Sequence, residues 1–192
     1  MKKLAKLVSL ILGPQFVWPL TLLICLFYSG LHGVRLLSAV VVLVILNLVV
    51  PFGYIYYAFK KKQISDLDLT RRQERYRPIV VAFLTTVISL LFAYFFTNAF
   101  LFKLLLLVLF LLLVNSLITF FWKISLHMGV NVIMALVINL VLGARQPVLY
   151  LTFPLIFWSR LVLKKHTVAQ LLAAIAVNAA IIFLFTKYLT FK

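Results

Sequence analysis

The chain has 192 residues, of which 66% are hydrophobic, and its mean hydropathy is +1.19. Soluble domains are only about half apolar, so this composition excludes an ordinary soluble domain and indicates a membrane protein. Lys and Arg number 19 and Asp and Glu only 3, for a formal net charge of +16. In a polytopic membrane protein this excess is typical of cytoplasmic loops, so we expect no nucleic-acid partner.

The apolar segments predict helices rather than a β-barrel. Backbone groups in lipid must form their hydrogen bonds within the spanning structure, and the segments lack the alternation of a barrel strand. A bilayer core takes about 20 apolar residues per helix, which allows six or seven spans. We therefore expect an all-α, polytopic transmembrane helix bundle, with residues 1–192 forming a single integral membrane domain.

The first predicted spans precede the main polar segment of the chain. The start, MKKLAKLVSLILGP, resembles the basic region of a signal peptide, but no cleavage pattern follows Gly13-Pro14. We expect an uncleaved span over about 15–28 with some preceding residues. The second span covers about 36–59, with Pro51 as a tolerated kink.

The polar segment 60–77, KKKQISDLDLTRRQERYR, contains all three acidic residues of the protein. Together with Pro78 it forms a predicted basic loop, 60–78. Five further spans follow it, and the last three are separated by short polar junctions. These predicted spans cover residues 79–96, 100–122, 125–143, 148–163 and 167–185.

The positive charges are distributed unevenly between the two predicted faces. If every segment spans, the N-terminus, the basic loop and the 123–127 and 159–166 junctions share one side, which the positive-inside rule assigns to the cytoplasm. That side holds Lys2, Lys3, Lys6, Lys60, Lys61, Lys62, Arg71, Arg72, Arg75, Arg77, Lys123, Arg160, Lys164 and Lys165. The opposite side holds Arg35, Lys103, Arg145, Lys187 and Lys192. We expect an integral protein of the cell membrane with this basic face in the cytoplasm.

Candidate site residues lie at three polar junctions of the basic face. They are Arg71, Arg72, Arg75 and Arg77 in the loop, Ser125 and His127 at 123–127, and Ser159, Arg160, His166 and Gln170 at 159–170. Arginine donates paired, charged hydrogen bonds to phosphate oxygens, and histidine acts as a nucleophile or proton donor near neutral pH. This combination, without a carboxylate pair, indicates phosphoryl transfer that uses no metal or other cofactor.

The local spacing supports a phosphate site. If the fifth helix begins near Ser125, then Ser125 and His127 lie in its first turn, where free N–H groups favour an anion. If the seventh begins near His166, then His166 and Gln170 are four residues apart on one face. Gln170 would then accept a hydrogen bond from the imidazole and fix which nitrogen faces the substrate.

The 159–170 junction resembles the third motif of the type 2 phosphatidic acid phosphatase superfamily. That motif reads Ser-Arg, five residues, His, three residues, Asp. The sequence has Ser159-Arg160, then His166 and Gln170 at the same spacing, so only the last residue differs. Some isoprenoid diphosphate phosphatases of the superfamily are similar in carrying Gln there.

The other two motifs are partly present, so the resemblance covers about residues 66–175 in motif order. The second motif, Pro-Ser-Gly-His, corresponds to Ile124-Ser125-Leu126-His127, which keeps Ser and His. The first, Lys, six residues, Arg-Pro, ends at Arg77-Pro78. Thr70 stands at the lysine position, and the nearest cations are Arg71 and Arg72.

The resemblance implies a mechanism and a substrate class. His166 would attack phosphorus to form a phosphohistidine, and His127 would protonate the leaving oxygen. The phosphate would be held by Arg160, Ser125, Arg77, and Arg71 or Arg72. The implied function is a metal-independent lipid phosphatase, acting on the phosphate or diphosphate headgroup of an isoprenoid or glycerolipid. The implied partners are that lipid and the bilayer.

Three points remain open from the sequence. Asp66, Asp68 or Glu74 could supply the charge that Gln170 lacks. A membrane transferase is a second class, but it needs carboxylate clusters for Mg²⁺, and only Asp66 and Asp68 are adjacent. A non-catalytic transport or anionic-lipid-binding protein derived from the phosphatase fold is the third class. The oligomeric state is not indicated.

Five asparagines inside the apolar segments have a structural interpretation. They are Asn47, Asn115, Asn131, Asn139 and Asn178. Hydrogen bonds between helices explain such residues without a catalytic role.

Overall fold

The computed structural model describes residues 1–188, except for the side chain of Tyr188, and is all-α over that range. Lys192, which the charge count assigns to the less basic face, lies outside the described residues. The α-helices are α1 (Lys2–Ile11), α2 (Pro14–Phe27), α3 (Gly33–Val44), α4 (Val50–Lys60), α5 (Tyr76–Phe96), α6 (Ala99–Phe121), α7 (Leu126–Val141), α8 (Thr152–Val162) and α9 (Val168–Tyr188). A π-helical turn covers Ile45–Val49, and 3-10 turns cover Arg72–Arg75 and Pro147–Leu151.

Five helical segments within the described residues are long and apolar enough to cross a membrane. They are Lys2–Phe27, Gly33–Lys60, Arg72–Phe96, Ala99–Phe121 and Val168–Lys187. The predicted fifth and sixth spans are also helical but shorter, at Leu126–Val141 and Pro147–Val162. The 16 residues of α7 measure about 24 Å, less than the roughly 30 Å of a hydrocarbon core. The chain is therefore an integral membrane helix bundle with five full-length candidate spans.

The described chain divides into two compact units. The first comprises residues 1–25 and 124–188, and the second comprises residues 26–123. The first unit contains α1, most of α2, and α7 to α9, and the second contains α3 to α6.

In the first unit, the predicted first span is divided into α1 and α2. Gly13 and Pro14 cause this break, because proline has no N–H to continue the hydrogen bonding of α1 but is well suited to begin a new helix. Val17 of α2 packs with Met134 and Ile138 of α7 in a buried apolar cluster. Residues 2–11 thus form a separate helix, whereas the sequence predicted only an extension of the first span.

Helices α7 and α9 approach closely at Gly129. A Cβ atom built on this glycine would lie 3.2 Å from Nδ2 of Asn178, a buried residue of α9. Small residues allow close helix packing in membranes. Any larger residue at position 129 would displace the α9 asparagine.

In the second unit, the predicted kink at Pro51 takes the form of the π-helical turn just before it. The Val50 N–H bonds the Ile45 carbonyl, five residues back, and this widening accommodates a proline that cannot donate. The turn carries Asn47, whose Nδ2 donates to Oγ of Ser89 on α5 at 2.8 Å. This bond confirms the interhelical interpretation for Asn47.

The basic loop is folded rather than extended. Ile64 and Leu69 are buried against Ala58 of α4. Asp66 Oδ1 accepts from both the N–H and hydroxyl of Thr70, and Glu74 Oε2 accepts from the N–H and hydroxyl of Ser65. Two of the three acidic residues therefore stabilise the loop itself.

All five asparagines donate from Nδ2 to the carbonyl four residues earlier in their own helices, at 2.7–3.0 Å. Asn131 and Asn139 each make an additional hydrogen bond outside their own helix. Asn131 Nδ2 donates to the Leu12 carbonyl, and Asn139 Nδ2 donates to the Gln146 carbonyl in the turn after α7. A carbonyl of the same helix is available at any depth in the bilayer, which explains this common pattern.

Candidate functional site

The turn between α8 and α9 holds Arg160 and His166 in a fixed relation. The Lys165 N–H bonds the Arg160 carbonyl at 3.0 Å, and the Lys164 N–H bonds the Leu161 carbonyl at 2.9 Å. Lys164 has φ of 53°, the left-handed conformation that glycine usually supplies. These features define a Schellman motif. The polar interruption of the sequence is therefore a structured helix end.

His166 makes the hydrogen bond predicted from its spacing to Gln170. Its Nδ1 lies 3.1 Å from Gln170 Oε1, and an amide oxygen can only accept, so the proton is on Nδ1. In the neutral ring the lone pair then lies on Nε2, which is the nitrogen able to attack an electrophile. The ring is buried, at 7% exposure.

Gln170 also belongs to a capping box at the start of α9, which the sequence analysis missed. Thr167 N–H donates to Gln170 Oε1 at 3.2 Å, and Gln170 N–H donates to the Thr167 hydroxyl at 3.3 Å. The signal was the Thr-x-x-Gln spacing. One amide oxygen thus serves both the helix end and the His166 ring.

Helix α7 begins where the sequence predicted, and its start carries Ser125 and His127. Ser125 is the N-cap, and its hydroxyl accepts from the Met128 N–H at 3.3 Å. Its own hydrogen can still be donated, because a hydroxyl both donates and accepts. His127 lies in the first turn and is buried.

Arg160 is the central charged group of the first unit, with only 1% exposure. Its Nη1 donates to Oγ of Ser9 at 2.6 Å and lies 3.5 Å from Nε2 of His127. A guanidinium cannot accept a hydrogen bond, so Nε2 of His127 faces it unprotonated. The structure therefore brings together two of the predicted residues, Arg160 and His127, and adds Ser9.

Helix α1 is attached directly to the elements that carry the predicted site, which the sequence did not indicate. Ser159 Oγ donates to the Ala5 carbonyl at 2.6 Å, so its hydrogen is used to hold α1 rather than a ligand. Asn131, one turn after His127, donates to the Leu12 carbonyl at 2.8 Å. The two carbonyls belong to the backbone of a short amphipathic helix and of the residue after it, so the sequence gives no signal for these contacts.

The first unit contains no acidic side chain. All Asp and Glu residues of the protein lie at positions 66, 68 and 74, within the second unit. No group of three or more His, Cys, Asp and Glu side chains among the described residues could hold a metal ion. The first unit therefore offers no Asp or Glu side chain to the buried guanidinium.

The four arginines of the basic loop lie in the second unit. Their predicted part in phosphate binding stays a prediction. Arg75 is buried, and its Nε donates to the Leu69 carbonyl. Arg72 donates to the Phe121 carbonyl at the end of α6 at 2.7 Å. Arg71 lies 3.9 Å from Glu74, and Arg77 is exposed. At least Arg75 and Arg72 have roles in the fold of their own unit.

No protein-family model matches the chain, and neither a curated protein nor a solved structure does so.

Proposed function

We propose that this protein is a metal-independent phosphatase of membrane lipids, acting on a phosphate or diphosphate headgroup. The observation that carries the proposal is the buried Arg160 guanidinium beside His127, in a unit without carboxylates. A phosphate at this position would add a negative charge beside a buried cation. Phosphate oxygens are the anionic groups that a guanidinium binds best.

His166 is the nucleophile in this proposal. Gln170 holds the Nδ1 hydrogen, which leaves the Nε2 lone pair to attack phosphorus. The P–N bond forms as the bond from phosphorus to the lipid oxygen breaks, and the product is a phosphohistidine. Gln170 fixes the tautomer and orientation of the ring but adds no negative charge.

His127 is the proton donor to the leaving oxygen. Its Nε2 faces the Arg160 guanidinium, so the ring must receive a proton before it can act as an acid. An arriving phosphate favours this step, because its negative charge stabilises an imidazolium. In the second half of the reaction, water attacks phosphorus as the P–N bond breaks, which returns the His166 lone pair to Nε2, and His127 takes the proton of that water.

The membrane setting supports a lipid as the substrate. The chain is an integral membrane protein with five candidate spans, and its site residues follow or precede apolar helices. A headgroup phosphate would reach the polar junctions while its apolar tail stays in the bilayer. Isoprenoid phosphates, isoprenoid diphosphates and glycerolipid phosphates all fit this description.

Phosphate release by purified protein in detergent tests the proposal. The substrates are polyprenyl phosphate, polyprenyl diphosphate, phosphatidic acid and phosphatidylglycerophosphate, each with EDTA. We expect EDTA-resistant release that is abolished in His166→Ala, with Thr21→Val as a control because its hydroxyl bonds its own helix. Absence of release across the panel would contradict the phosphatase.

A non-catalytic protein that binds or transports an anionic lipid is the second candidate. The capping box favours this second candidate, because stabilising the start of α9 is a sufficient reason for a glutamine at position 170 in a protein without catalytic activity. The same purified protein separates the two candidates. Binding of a phosphate-bearing lipid without turnover would support the second and contradict the first.

A further inference from the structure

The hydroxyl of Ser9 is a buried donor with an unused hydrogen. Ser9 has 4% exposure on the face of α1 that packs toward α8. Its Oγ accepts from Arg160 Nη1 at 2.6 Å. Because a guanidinium only donates, the serine keeps its own hydrogen, and that hydrogen has no acceptor among residues 1–188. Such unmatched buried donors are rare in folded proteins.

A second unmatched polar atom lies on the helix that holds the end of α1. The Oδ1 atom of Asn131 is buried and has no hydrogen-bond partner in the described part of the chain. Its orientation is fixed, because Nδ2 donates to the carbonyls of Leu12 and His127. Ser9 is three residues before Leu12, so an unmatched donor and an unmatched acceptor occur on two connected helices. A hydrated or singly protonated oxyanion offers partners to both.

We propose that Ser9 is a direct phosphate ligand, donating its hydroxyl hydrogen to an oxygen of the phosphoryl group that Arg160 binds. This inference rests on the proposed function for the identity of the ligand. A serine hydroxyl that accepts from the arginine and donates to the anion is held in orientation by the arginine itself. Helix α1 then supplies a wall of the site, although residue 9 lies far outside the motif region 66–175.

The ligand chemistry is a phosphoryl group, present in both a lipid headgroup and free phosphate. The test therefore measures two quantities on the full chain, the Kd of inorganic phosphate and the KM of the best lipid substrate. We expect Ser9→Ala to weaken both by about tenfold, the effect of losing one hydrogen bond to a charged group. Ser9→Thr keeps the hydroxyl and should weaken both quantities less than Ser9→Ala does, whereas the control Thr21→Val should leave both unchanged.

A double-mutant cycle distinguishes a ligand from a residue that only positions Arg160. If Ser9 touches the anion, Ser9→Ala should still weaken phosphate binding several-fold when Arg160→Lys is already present. Loss of the serine effect in that background would reduce Ser9 to a positioning residue and overturn the inference. Should Ser9→Ala fail to fold, Ser9→Cys preserves the volume with a weaker donor, and unchanged affinity there would also overturn it.

The outcomes separate this inference from the proposed function. Serine-dependent phosphate binding without turnover would retain the ligand and contradict the phosphatase. Turnover with the same KM and the same phosphate Kd in Ser9→Ala would retain the phosphatase and contradict the ligand. A change in lipid KM without a change in phosphate Kd would support the ligand and identify its source as the headgroup.

Discussion

Gln170 offers the sharpest separation of a structural from a catalytic role, because one oxygen serves two donors. Its Oε1 accepts from His166 Nδ1 at 3.1 Å and from the Thr167 N–H at 3.2 Å. Thr167→Ala removes the other half of the capping box and leaves the histidine contact in place. We expect Thr167→Ala to cost about 1 kcal/mol of stability. It should change kcat by less than roughly twofold, because the hydrogen bond from His166 to Gln170 is kept.

Gln170→Ala should lose similar stability but much more activity. Removing the oxygen costs about 1 kcal/mol at the helix end and frees the His166 ring to rotate and change tautomer. Loss of an orienting partner lowers the activity of a functional histidine by at least roughly tenfold. The kcat ratio of Gln170→Ala to Thr167→Ala therefore measures how much the orientation of the His166 ring contributes to turnover. Thermal melting in detergent checks first that the two variants are equally stable.

Gln170→Glu is the third variant of this comparison, and it should keep or raise kcat rather than lower it. Glutamate has the same length, so both contacts at Oε1 can persist, and its charge stabilises the imidazolium and the start of α9. We expect kcat at or above that of the unchanged protein. If Gln170→Ala turns over as fast as Thr167→Ala, the ring is not oriented by Gln170, and the assignment of Nε2 as nucleophile fails.

Three further outcomes follow from the geometry. Lys164→Gly should preserve activity and raise stability by up to about 1 kcal/mol, because φ of 53° suits glycine, whereas Lys165→Gly should give no gain; melting in detergent compares the two. Ser125→Ala should lower the melting temperature through a loss of about 1 kcal/mol at the N-cap of α7. In a double-mutant cycle, Asn47→Ala and Ser89→Ala should show a coupling of about 0.6 kcal/mol for their interhelical bond, and a coupling of zero would contradict that bond.

The helices were predictable because hydropathy and breaker residues act locally. Continuous apolar segments located the regions of α2 to α9, and Ser125 correctly marked the start of α7. The separation of α1 from α2 was harder, because the Gly13-Pro14 break permits either a kink within one span or two helices. Tertiary packing decides between these, since the carbonyls of Ala5 in α1 and of Leu12 just after it accept hydrogen bonds from side chains more than 100 residues away.

The local part of the site was predictable, and the long-range part was not. The bond from His166 to Gln170 occurs at the predicted spacing, although α9 begins at Val168, so His166 reaches Gln170 from the turn before the helix. The bond from Arg160 to Ser9 spans 151 positions. Nothing in the local sequence distinguishes this serine from those whose hydroxyls bond their own helix backbone. Ser159 was a candidate site residue from the sequence, but its hydroxyl donates to the Ala5 carbonyl of α1, a contact across 154 positions that the sequence did not indicate.

The placement of charge connects these findings. Arg160 is buried in the unit without acidic residues, while the loop carboxylates of Asp66 and Glu74 accept hydrogen bonds from their own loop. A carboxylate beside the guanidinium would neutralise it and compete with a phosphate for its donors. A neutral glutamine at position 170 also avoids this competition while still orienting His166. Under the proposed function, a glutamine in place of the aspartate of the resembled motif leaves the positive charge of Arg160 to the phosphate.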